Sequence, residues 1–275
     1  MKLQNLRACG FFRYTLLAVS AFHLTVCVSG RALSLQTCPE FTASQDFRSG
    51  IRNSACRPLT SKQRQALLEG LRQKTGLMEM QFDEYGVLQP GDRTRIEGGS
   101  PAARALILAA VDSPHSFRLE NHENSPTVAF AKIESTEDYE DSAGIRHVVW
   151  EFRFDFRDFA ELRGPAEAVA AFDPALQLMH ELGHSVLGLH DPVNKDDELG
   201  DCERRVNLIR RELGLPLRQN YNAQSRMAMM PGSSVDSLKA EIFFVQSDDV
   251  TRSKTYALYF NVETVLGEVS ARLGR

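Results

Sequence analysis

The chain has 275 residues, of which 43% are hydrophobic and 25% charged, with 32 basic against 36 acidic side chains. That balance is globular and excludes a disordered, collagen-like or coiled-coil protein, and a net charge of −4 supplies no basic field for nucleic acid. No continuous apolar run reaches the roughly 18 residues of an ordinary membrane-spanning helix.

Residues 1–30 read as a secretory signal. Lys2, Arg7 and Arg13 precede the first acidic residue, Tyr14 to Val28 is mostly apolar, and Ser29, Gly30 and Ala32 offer cleavage near 30–32. The expected location is therefore secreted or periplasmic, with no stable membrane span after cleavage. Removal of this segment takes three positive charges and moves the net charge from −4 to −7. It leaves Cys38, Cys56 and Cys202. Cys38 and Cys56 flank a polar stretch and can close a short loop in an oxidising compartment, worth roughly 3 kcal/mol by chain entropy. Cys202 falls at helical spacing with Val206, Ile209 and Leu213 and reads as a buried thiol.

Residues 31–76 are expected to be an N-terminal extension with one helix, and 77–275 the main domain. Within the extension, 31–58 is irregular and polar. A helix then runs from Ser61 to about Lys74, with Thr60 as cap, Gln63 returning the bond and Gly76 as stop. Residues 77–90 form a hairpin turning near Tyr85-Gly86, 91–100 a Gly-rich loop, and Pro101 to Val111 a helix. Strands follow near 116–120 and 127–134. The clearest strand is 148–156, with Val148, Trp150, Phe152, Phe154 and Phe156 on one face and Glu151, Arg153 and Asp155 on the other. The expected class is α+β, a mostly antiparallel sheet packed on helices.

The chemistry begins at the next helix. Asp173 caps it, Pro174 takes its first position and Gly188 ends it. His180 and His184 are four residues apart, so both imidazoles leave the same face, spaced to share one Zn²⁺. Glu181 is placed beside the first His, where its carboxylate can reach a metal-held water instead of the metal. This is His-Glu-x-x-His, in which each fixed residue has a task. A catalytic zinc needs a third protein ligand. Counted from the first His, His190 is in place; counted from the turn at Gly188, Asp191 is. Asp191 is favoured, because a Gly cap fixes the geometry after it.

The run from His180 to Asp191 resembles the metzincin pattern His-Glu-x-x-His-x-x-Gly-x-x-His, with its Gly one residue late, and its Gly-x-x-Asp ending resembles the aspzincin solution of two His and one Asp. Further on, Asn207, Arg210, Gly214, Pro216, Arg218 and Tyr221 match a pattern similar to that of the zinc-peptidase effectors of bacterial type III secretion and related toxin domains; Val206 stands where that family has Glu. The resemblance implies a zincin-like fold and peptidase chemistry on a peptide or protein substrate, and no particular substrate. Residues 202–213 read as a second helix capped by Asp201, with Glu203, Asn207 and Arg210 on its polar face. Tyr221 is open between an oxyanion donor and a packing residue. Met227, Met229 and Met230 resemble a Met-turn, though core methionines are the commoner explanation.

The expected function is zinc-dependent peptide hydrolysis, with His180, His184 and Asp191 as ligands and Glu181 as general base. The alternatives are a secreted binding protein with a non-catalytic zinc, and a metal hydrolase of non-peptide amides.

Overall fold

A computed structural model describes residues 48–193, 198–229, 236–249, 252–262 and 265. The signal-like segment and Cys38 lie outside the described residues. Cys56 is disulfide-bonded, and Cys202 is a buried free thiol.

The order of elements follows from local signals in the first half. Strand β1 (Gly50–Asn53) leads into helix α1 (Ser61–Thr75). The expected capping box is present: Thr60 Oγ1 accepts from the Gln63 N–H at 3.2 Å, and the Thr60 N–H donates to Gln63 Oε1 at 2.8 Å. Gly76 ends α1 at φ 75°, a left-handed position suited to glycine. A short hairpin, β2 (Gln81–Phe82) and β3 (Leu88–Gln89), precedes helix α2 (Pro101–Val111). Strands β4 (Ser116–Asn121), β5 (Ala131–Glu140) and β6 (Arg146–Phe154) follow, then two short helices, α3 (Phe156–Glu161) and α4 (Ala166–Ala170). Helices α5 (Pro174–Leu187) and α6 (Gly200–Glu212) come next, and β7 (Leu217–Arg218), β8 (Gln224–Met229), β9 (Asp236–Asp249) and β10 (Arg252–Asn261) complete the chain.

The first sheet has the order β1-β4-β6-β5. β1, β4 and β6 run parallel, and β5 runs antiparallel to β6 at the edge. This sheet is therefore mixed, where a mostly antiparallel one is expected from the sequence. The parallel pairing of β1 with β4 is made possible by the long helical crossover between them, which carries α1 and α2. The second sheet is antiparallel throughout, with β9 between β10 on one side and β7 and β8 on the other. No helix of the described residues is long and apolar enough to cross a membrane.

One apolar core joins the first sheet to the helices. Ile51 of β1, Leu67 and Leu71 of α1, Ile107 of α2, Phe152 of β6 and Leu182 of α5 are all fully buried in it. Residues 48–76, expected as an extension, are thus part of the main fold. A second cluster, built around Phe130, Phe172, Ile242, Phe244 and Phe260, fills the space under the second sheet.

Two further expectations change. β6 stops at Phe154, and Asp155 caps α3 by accepting from the Arg157 N–H at 3.0 Å, so Phe156 is helical. The charged face of β6 is half-buried: Arg153 bridges Glu151 and Glu134.

The loop before β5 is tied to α3 by two carboxylates. Asp155 accepts from the Ser125 N–H at 3.0 Å, and Asp158 from the Phe130 N–H at 2.8 Å, where Phe130 sits at φ 61°. Burial, with Asp155 nearby, pushes the Asp158 carboxyl up to about 7. The folded chain therefore keeps this proton to higher pH than the unfolded chain, and stability falls as pH rises from about 4 to about 7. Asp158→Asn retains an acceptor for Phe130 and removes the titration. Its melting temperature is expected to match the wild type below about pH 4 and exceed it near pH 8, by roughly 2–4 °C for each kcal/mol recovered. Equal melting differences at the two pH values would show that Asp158 does not titrate in this range.

Candidate metal centre

Helix α5 is held at both ends. Asp173 accepts from the Leu176 N–H at 2.9 Å and pairs with the buried Lys74 of α1. At the other end Gly188 adopts φ 63°, and the Leu189 N–H reaches back to Gly183 O at 3.1 Å. That reversal turns the chain so that Asp191 faces the helix it has just left.

His180 Nε2 lies 3.1 Å from Asp191 Oδ1, and His184 Nε2 lies 3.4 Å from Asp191 Oδ2. The two imidazole rings are 5.1 Å apart. Potential ligand atoms of His180, His184, Asp191 and Cys202 all fall within 4.8 Å of one another. Cys202 stands apart from the other three in direction. Its Sγ is 3.3 Å from His184 Nδ1, the ring nitrogen opposite the one that faces Asp191, and the same Nδ1 is 2.9 Å from Leu189 O. Burial raises the Cys202 thiol pKa, so this group supports His184 as a neutral thiol.

The electrostatics suit a cation at the meeting point. The Asp191 hydrogen bond, with help from Cys202, lifts the His184 pKa to about 11. Burial works against the charge on His180, but Asp191 and Glu203 raise its pKa to about 9. Burial likewise opposes the Asp191 charge, and His180, His184 and Tyr221 hold its carboxyl well below the usual carboxylate range. Two imidazole nitrogens and one carboxylate thus converge as a donor set of the three-ligand zinc type, and a dication fits where protons now link them.

His190 is exposed, and it acts through its backbone oxygen, which accepts from the Asp201 N–H at 2.9 Å. Zinc affinity is therefore expected to fall sharply in Asp191→Ala and to stay near wild type in His190→Ala, as read by competition with a chromogenic chelator. The reverse pattern would assign the third ligand to His190.

Glu181 is buried on the same side of α5, and burial raises its carboxyl pKa against the opposing pull of His180 and His184. With His180 and Tyr221 it borders a cavity of about 340 Å³.

Behind the histidines is a buried polar network from α6 and the segment after it. Glu203, fully buried, places Oε2 3.3 Å from His180 Nδ1 and 3.0 Å from Arg218 Nη1, while Oε1 pairs with the equally buried Arg210. Arg210 and Arg218 hold the Glu203 carboxyl far below its ordinary pKa, against the cost of its burial. Asn207 clamps the backbone of Arg218 from both sides, at 2.8 and 2.9 Å. Tyr221 stacks on His180 and donates its hydroxyl to Asp191 Oδ2 at 2.8 Å. The tyrosine therefore holds a candidate ligand in place. The carboxylate that orients His180 is the residue sequence reasoning missed. Glu203 shares a face with Asn207 and Arg210, as expected, but that face is buried. The signal was the flanking stripe of Cys202, Val206 and Ile209, which leaves this side of α6 no access to water. Val206 is itself in the apolar core.

Asp201 is not the cap of α6. The helix starts at Gly200, φ 70°, after Leu199, and Asp201 pairs with Arg204 within the first turn. Met227 and Met229 belong to β8, opposite Leu238 and Asp236 of β9, so a strand runs where a Met-turn was considered; Met230 lies outside the described residues.

No protein family, curated protein or solved structure matches the chain. The assignment of function therefore rests on the residues and their geometry.

Proposed function

We propose that the protein is a zinc-dependent peptidase exported through its N-terminal segment. The observation that carries this reading is the convergence of His180 Nε2 and His184 Nε2 on the Asp191 carboxylate, with Glu181 buried alongside. The layout supports a zincin-like fold: α5 packs along β5, and β5 pairs only with β6 among the described residues, so its outer side is a sheet edge. An extended peptide can add to such an edge by main-chain hydrogen bonds. β6 is interior to this sheet, and β5 is at its edge.

His180, His184 and Asp191 would hold the ion. When bound, Zn²⁺ supplies a Lewis acid that polarises a carbonyl and lowers the pKa of water towards about 7. Glu181 would take the proton of the attacking water and deliver it to the departing amine; burial raises its basicity. Glu203 orients His180, and Tyr221 orients Asp191. A binding protein with a purely structural metal has no use for Glu181.

The test is metal analysis of the full chain, with digestion of a mixed peptide library before and after chelation. Stoichiometric zinc is expected, lost in His180→Ala and His184→Ala, together with cleavage that chelation abolishes and zinc restores. A chain that takes up no zinc on titration, or cleavage that survives chelation, would sink the reading.

A further inference from the structure

We infer that the cavity beside Glu181 is the pocket for a residue flanking the scissile bond, and that Gln177 makes it select an uncharged side chain with an apolar stem and a terminal hydrogen-bond acceptor. Glutamine is the amino acid that fits this description. The inference rests on the peptidase reading above and names the substrate preference of the same site.

At about 340 Å³ the cavity has room for one large side chain. Phe130, Phe172, Ile242 and Phe260 form its apolar wall, beside the polar groups of the candidate metal centre. Phe130 packs edge-on against both Phe172 and Phe260, with ring centroids 5.1 Å apart in each case, which fixes the wall nearest β5.

Gln177 is one of the polar groups of the lining. It lies one helical turn before Glu181 and so projects from the same face of α5. Its side chain lines the cavity at 7% exposure, and its amide nitrogen is buried without a hydrogen-bond partner among the described residues. Buried donors are nearly always matched, so an unmatched one at a cavity wall is a place for an acceptor that arrives with a ligand. Of the other polar groups of the lining, His180 and Glu181 belong to the candidate metal centre, Asn222 is exposed, and two are already engaged. Arg218 is held by Glu203, Asn220 O and Tyr221 O, and the Tyr221 hydroxyl is committed to Asp191.

Charge narrows the choice. A carboxylate in the pocket would be buried beside the Glu181 carboxylate, with desolvation and repulsion both against it, and the Arg218 guanidinium of the lining is already paired with Glu203. An ammonium or guanidinium has no acceptor to offer Gln177 and would occupy the base. A purely aliphatic chain fills the space and leaves the donor unmatched. A neutral acceptor on an apolar stem meets both demands.

The experiment uses matched peptides that differ at one position, carrying glutamine, glutamate or norleucine. Two readouts are taken: binding to full-chain Glu181→Gln by calorimetry, and cleavage by the zinc-loaded wild type. Glutamine is expected to be preferred over norleucine by roughly tenfold or more in both, and glutamate to be weaker than glutamine in cleavage by the wild type, where the Glu181 carboxylate is present. In Gln177→Leu the order of glutamine and norleucine should reverse, with zinc content and melting temperature unchanged. Ile242→Trp, which fills the cavity from β9, should weaken all three peptides relative to one carrying glycine.

Equal losses for all peptides in Gln177→Leu would assign the donor to a main-chain carbonyl and overturn the selectivity. Binding without any preference among the three would overturn the pocket itself. Preferential binding with no cleavage by the wild type would leave the pocket standing and overturn the peptidase reading.

Discussion

Glu181→Gln should keep its zinc and lose roughly 10²–10⁴ in turnover, the usual worth of a positioned acid–base group. The substitution preserves the shape of a buried side chain and removes its basicity. Glu181 is absent from the set of groups that converge on one another around Asp191, so metal affinity has no reason to change. The loss should appear in kcat with little change in KM, because the missing proton transfer belongs to the transition state. The measurement is steady-state hydrolysis of a library-derived peptide alongside metal analysis of the same preparation. A variant as active as the wild type would place the activity elsewhere on the chain; a variant without zinc would make Glu181 a ligand.

Glu203→Ala should be among the most destabilising single substitutions in the protein. It leaves Arg210 and Arg218 facing each other in a site where both are buried, with no carboxylate between them. Removing one partner of such a group costs about 3–5 kcal/mol, because the remaining charges cannot return to water. The urea midpoint should drop accordingly at unchanged slope. The same variant should weaken zinc binding about 10–100-fold, since His180 loses its orienting carboxylate. Double replacement of Arg210 by Met and Glu203 by Leu should recover part of the stability without the zinc affinity. A Glu203→Ala chain as stable as the wild type would mean that the two guanidinium groups reach solvent.

What was legible in the sequence was local. The caps of α1 and α5, the start of α2 at Ser100-Pro101 and the turn at Gly188 are each decided within a few residues by side-chain bonds to free backbone groups. The preference for Asp191 came from the same logic, since it depends only on how the chain leaves α5. Strand β1 was not legible: four residues, interrupted by Arg52 and Asn53, carry no alternation, and its place is given by distant β4. β9 and β10 escaped for a related reason, their pairing being set by each other and by β7 and β8. Among site residues, Glu203, Tyr221 and Gln177 take their roles from what folds against them. A polar residue on a helix reads as a wet face until the opposing surface is known.

The candidate ligands, the base and the groups that brace them all come from one continuous stretch, Asp173 to Tyr221. The apolar walls of the neighbouring cavity come largely from far away in the chain, from Phe130 before β5, Ile242 in β9 and Phe260 in β10. The candidate metal centre and most of the apolar wall are thus carried on separate parts of the chain, with Gln177 the exception on α5. Divergence in β9, β10 and the loop before β5 can reshape the pocket while the proposed ligands and base stay intact, so that copies of this scaffold with the same centre can come to recognise different partners.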